Sequence, residues 1–105
     1  MYNTDEFSKL ENLKDLKLLD ADITEIPYME NIESLYLQNL DSMTSLDSVK
    51  KLKNTKQLEL VNMDGLEQST IKDLKTALNH LENLSIRNCE KLNSEKKEIT
   101  LNNID

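Results

Sequence analysis

The six residues Leu84-Ser85-Ile86-Arg87-Asn88-Cys89 constrain this chain more than any other stretch, because their pattern recurs four more times. Leu58-Glu59-Leu60-Val61-Asn62-Met63 and Leu35-Tyr36-Leu37-Gln38-Asn39-Leu40 repeat it, and Leu16-Lys17-Leu18-Leu19-Asp20-Ala21 keeps it with Asp for Asn. Ile99-Thr100-Leu101-Asn102-Asn103-Ile104 closes the series. Each block reads apolar, any, apolar, any, Asn or Asp, then a residue suited to burial. Apolar residues two apart point the same way in a strand, so Leu16 and Leu18 face a core while Lys17 faces out.

The blocks divide the chain into units of about 13–31, 32–54, 55–80 and 81–95, with a partial unit at 96–105. In the first, Pro27 lacks a donor and biases Ile26 away from helix, so the return stretch is expected to be a turn or extended. In the second, Thr44 or Ser45 is expected to cap a short helix carrying Leu46, Val49 and Leu52. The third has the best-marked helix. Ser69 or Thr70 caps it, Asp73 stands three after Thr70 in a capping-box relation, and Ile71, Leu74 and Leu78 form the buried stripe. In the partial unit Ile99, Leu101 and Ile104 take the inward slots, but Lys96 falls where a leucine should open the unit. Ahead of the units, residues 1–12 read as an N-terminal capping helix. Thr4 caps it, Asp5 and Glu6 favour its dipole, and Phe7 and Leu10 line one side to shield the edge of the first strand.

The equivalent Asn/Asp positions 20, 39, 62, 88 and 103 lie 19, 23, 26 and 15 residues apart. The last interval is too short for a helix and suits a terminal strand joined by a loop.

At 105 residues the chain makes one small domain. A net charge of −7 argues against sequence-independent nucleic-acid binding, which needs clustered cations, and against a basic membrane anchor. A single cysteine excludes an intramolecular disulfide and fits a reducing compartment. The opening residues show no basic region followed by an apolar run, and no apolar stretch approaches the roughly 20 residues that span a bilayer. The expectation is an intracellular chain, cytoplasmic or nuclear.

No catalytic, metal or cofactor set emerges, and the chain is expected not to be an enzyme. Gly65 is the only glycine, so a phosphate-cradling loop is not available. His80 stands alone and is expected to face solvent. Cys89 occupies an inward slot and reads as a small buried hydrophobe rather than a reactive thiol. Lys50, Lys51, Lys53 and Lys56 read as a solvated face, or as a patch for an acidic partner.

Over residues 13–104 the pattern Leu-x-x-Leu-x-Leu-x-x-(Asn/Cys)-x-(x)-Leu resembles the leucine-rich-repeat family. Residues 81–92 are similar to the cysteine-containing repeats of F-box substrate receptors and nucleotide-binding immune receptors. Residues 13–27 look more like the shorter repeats of internalins and phosphatase-regulating proteins. The resemblance implies an α/β fold: a short right-handed solenoid with about five parallel strands on its concave face and short helices or turns on its convex face. One departure is visible. The slot where the family places Asn or Cys holds Ala21, Leu40, Met63, Cys89 and Ile104, with Asn or Asp one residue earlier. These polar residues are therefore expected at strand ends, where they tolerate tight backbone conformations.

Residues between the inward leucines would form a continuous outward surface. It runs through Asp15, Lys17 and Leu19, then Ser34, Tyr36 and Gln38, then Gln57, Glu59 and Val61, then Asn83, Ser85 and Arg87, and ends at Glu98, Thr100 and Asn102. The candidate partner-binding residues on it are Lys17, Leu19, Tyr36, Gln38, Glu59, Val61, Ser85 and Arg87. Leu19 and Val61 supply exposed aliphatic area beside Tyr36, and Tyr and Arg are residue types that often dominate binding energy. The expected partner is another protein, with the chain acting as the recognition part of a larger adaptor or receptor. The alternative is a structural or assembly module acting through an open sheet edge. Its oligomeric state would be a monomer or a weak edge-paired oligomer.

Overall fold

A computed structural model describes residues 12–94 and 96–104 of the chain. All of the expected capping helix except Asn12 lies outside the described residues. Five strands form one sheet in chain order: β1 (Asp15–Leu19), β2 (Ser34–Gln38), β3 (Gln57–Val61), β4 (Asn83–Arg87) and β5 (Glu98–Ile99). β1 to β4 run parallel and in register. Leu16, Leu35, Leu58 and Leu84 make one inward row, and Leu18, Leu37, Leu60 and Ile86 make the next. The two-residue spacing of the repeated block is thus the spacing of the core rows.

The fifth strand corrects the expectation of a wholly parallel sheet. β5 pairs antiparallel with β4, Ile86 opposite Ile99 and Arg87 opposite Glu98. Chain length accounts for this, because a parallel crossover takes a dozen or more residues and only residues 88–97 are available. Asn93 holds the reversal together. Its Oδ1 accepts from the Cys89 N–H at 2.8 Å, and its Nδ2 donates to the carbonyls of Ile86 at 3.0 Å and Lys96 at 2.9 Å. The strand stops at Ile99. Leu101 and Asn102 lie in a turn closed by the Asn103 N–H to the Thr100 carbonyl at 3.1 Å, so Thr100 and Asn102 do not extend the sheet.

The return segments hold α1 (Asp47–Lys50), a 3-10 turn (Gln68–Ile71) and α2 (Leu74–Ala77). Their apolar residues Leu46, Val49, Leu52, Leu74 and Leu78 join the inward rows in one buried cluster, with Ile71 half-buried against it. Residues 21–29 form no helix, as Pro27 implies, and the Ile26 N–H donates to Ser48 Oγ at 2.8 Å. The best-marked helix is shorter than its signals suggest. Thr70 lies inside the 3-10 turn rather than at a cap, and its hydroxyl accepts from the Leu46 N–H of the preceding unit at 2.8 Å. Ser45 Oγ does meet the start of α1, accepting from the Asp47 N–H at 3.0 Å.

Successive units enter their strands through the same bonds. The N–H groups of Glu33 and Ser34 share the Lys14 carbonyl, those of Lys56 and Gln57 share the Glu33 carbonyl, and those of Glu82 and Asn83 share the Lys56 carbonyl. Gly65 lies where its unit packs tightly against the preceding one. A Cβ there would stand 2.7 Å from the Asp41 carbonyl oxygen and 2.8 Å from that of Met43, closer than a methyl group tolerates. No helix of the described residues is long and apolar enough to cross a membrane.

Candidate functional site

Alternation along β1 to β4 turns every second side chain away from the core. What ends each strand is a residue in the left-handed region: Asp20 (φ 56°), Asn39 (57°), Asn62 (53°) and Asn88 (56°). Asn and Asp adopt this conformation more readily than other non-glycine residues, which explains their recurrence at this slot. The first three carry the ladder one bond further, from Asp20 N–H to Gln38 O at 3.0 Å, Asn39 N–H to Val61 O at 3.2 Å, and Asn62 N–H to Arg87 O at 3.1 Å. Asn39 Nδ2 also donates to Asp20 Oδ1 at 2.7 Å. Asn103 departs from the series. Its Oδ1 accepts from the Thr100 N–H at 2.7 Å and its Nδ2 donates to the Glu98 carbonyl at 3.1 Å, pinning the last turn.

The shared register aligns the outward residues in rows. Asp15, Ser34, Gln57 and Asn83 form the first, Lys17, Tyr36, Glu59 and Ser85 the second, and Leu19, Gln38, Val61 and Arg87 the third. The first two rows line an open hollow of about 610 Å³. Within it the Lys17 ammonium stands 4.7 Å from the centroid of the Tyr36 ring. The Tyr36 hydroxyl donates to Gln38 Oε1 at 2.5 Å. Arg87 reaches diagonally from β4 to pair with the Glu59 carboxylate, and the Ser85 hydroxyl donates to Glu98 Oε2 at 2.7 Å.

Six of the eight candidate residues are therefore linked around the hollow: Lys17 with Tyr36 and Gln38, Glu59 with Arg87, and Ser85 beside them. Leu19 is 46% exposed, at the outer end of the third row. Val61 is a correction. It is only 8% exposed, because its row neighbours Gln38 and Arg87 are both longer and flank it, so it offers no aliphatic surface.

Elsewhere, His80 is exposed as expected. Cys89 is fully buried, and its Sγ accepts from the Met63 N–H of the preceding unit at 3.3 Å. Burial pushes the thiol pKa up, outweighing the lowering by that N–H bond. Lys50, one of the four clustered lysines, is tied to Asp73 at 2.6 Å and holds that carboxyl below its ordinary range. Among the described residues no three His, Cys, Asp or Glu side chains gather where they could hold a metal ion. Sequence reasoning missed Tyr28, which is 61% exposed and is marked only by its place after Pro27. It also missed Asn93, whose signal was the short interval before β5. No family model, curated protein or solved structure matches this chain.

Proposed function

We propose that this chain is an intracellular leucine-rich-repeat module that binds another protein through the outward face of its sheet. The observation that carries the reading is the second outward row, Lys17, Tyr36, Glu59 and Ser85. These side chains lie at one register across four parallel strands and line a hollow while the leucines beside them form the core. Such residues are free to vary with the partner because the fold does not depend on them. The recurrent strand-entry bonds and left-handed exits support stacking of equivalent units as a short solenoid, with the sheet on its concave side. A partner seated there would meet Tyr36, a side chain that combines apolar contact with hydrogen bonding. The reading includes no catalytic step and no cofactor.

The test is affinity capture with the wild-type chain, with Tyr36→Ala/Glu59→Ala, and with Lys72→Ala/Lys75→Ala, which removes exposed charges on the helical side. Loss of the captured partner only with the first pair supports the face. Equal capture by all three correctly folded proteins refutes it.

A further inference from the structure

The two groups at the centre of the hollow that attract cations are each capped by a cation from a flanking strand. Lys17 of β1 covers the Tyr36 ring of β2, and Arg87 of β4 pairs with Glu59 of β3. We infer that the hollow receives a basic segment of its partner, whose arginine or lysine side chains take the places of Lys17 on Tyr36 and Arg87 on Glu59. This rests on the reading of the sheet face as the binding surface, and adds the chemistry of what binds.

Three observations carry it. A tyrosine ring next to a carboxylate in the same row is a ready seat for a guanidinium or ammonium group, the ring supplying its negative face and Glu59 the counter-charge. The internal caps are weak, since Arg87 and Glu59 are 46% and 37% exposed and a pair so open to water gains little. A partner cation thus meets little resistance in displacing them, and the released Lys17 and Arg87 return to water.

The surrounding field has the matching sign. Outward positions carry three carboxylates (Asp15, Glu59, Glu98) against two cations (Lys17, Arg87). The strand exits at 20–22, 39–42, 62–64 and 88–90 add five more carboxylates and neither lysine nor arginine. The strand entries are balanced, with Lys14 and Lys56 against Glu33 and Glu82. An approaching basic segment is drawn to this side of the molecule and an acidic one is repelled.

The probes are two capped peptides, Gly-Arg-Gly-Arg-Gly and Gly-Glu-Gly-Glu-Gly, titrated into the full chain with amide shifts followed by NMR. The arginine peptide should shift the signals of Lys17, Tyr36 and Glu59. Lys17→Ala should tighten its binding about two- to fivefold. Lys75→Ala removes the same charge from the exposed side of α2 and sets the background that this gain must exceed. Tyr36→Leu and Glu59→Gln should each weaken binding, while Asp22→Asn on the strand exits should change it less than about twofold at physiological salt. Weaker binding by Lys17→Ala, or none of these effects from Tyr36→Leu, overturns the inference. Shifts at the same residues with the glutamate peptide alone would leave the face as a binding surface and overturn its proposed sign. No shift there with either peptide would overturn the inference and also count against the face.

Discussion

The Leu46 backbone N–H donates to Thr70 Oγ1 at 2.8 Å, joining residues 24 apart in sequence in adjacent units. Both residues are buried, so the bond has no water to replace it. Thr70→Val keeps the shape and removes the acceptor, and should cost about 1–3 kcal/mol. Thr70→Ser keeps the hydroxyl and should cost about 1 kcal/mol or less, the loss of one methyl group. Urea unfolding midpoints separate the two. Equal losses would mean that the methyl group rather than the hydrogen bond matters.

Asn62 sits at φ 53° where β3 leaves the sheet. A β-branched residue is strained in that conformation and glycine is not. Asn62→Val should therefore be about 1–2 kcal/mol less stable than Asn62→Gly. Thermal unfolding of the pair checks this, and a valine variant as stable as the glycine variant would argue against the left-handed exit.

Leu60 and Leu84 face inward at 0% and 5% exposure, while Lys17 faces out. Replacing either leucine by alanine should cost about 2–5 kcal/mol. Lys17→Ala should cost no more than about 1 kcal/mol, the size of one exposed cation–π contact. Similar losses at all three positions, by chemical denaturation, would contradict the register of the sheet.

Cys89 should be silent toward thiol reagents at neutral pH until the chain unfolds, with labelling rates that follow global opening. Its raised pKa also gives a sign. Below pH 9.0, the ordinary thiol value, folded and unfolded chains both hold the proton and this group adds no pH dependence. Above it the unfolded chain releases the proton before the folded one, so stability falls as pH rises. The slope should be absent in Cys89→Ala, and a slope unchanged in that variant would assign it to another group.

The rows of the sheet were legible in the sequence because the Leu-x-Leu spacing directly reports strand alternation. The outward placement of Lys17, Tyr36, Glu59 and Ser85 follows from the same two-residue step. The left-handed exits were legible too, since few residues besides Asn and Asp occupy that conformation cheaply. What escaped was whatever depends on the unit next door. Thr70 satisfies the local rule for a helix cap, yet its hydroxyl is claimed by Leu46 from the previous unit. Val61 alternates outward like Leu19 but lies between two long side chains, and alternation alone cannot register its neighbours' lengths. Ile99 and Leu101 carry the same pattern as the parallel strands. Only the short run after Arg87 distinguishes their direction, and Asn93, which secures it, has no periodic signature.

The shared carbonyls give the strand entries of successive units one common backbone form. Lys14, Glu33 and Lys56 each offer one oxygen to two N–H groups of the following unit, and no side-chain identity enters that handshake. A second copy of residues 55–80 spliced in after residue 80 would find the same backbone socket waiting. Each added copy would widen the outward face of the sheet by one strand, while joints made by side chains, such as Leu46 to Thr70, would have to be met again at the new boundary.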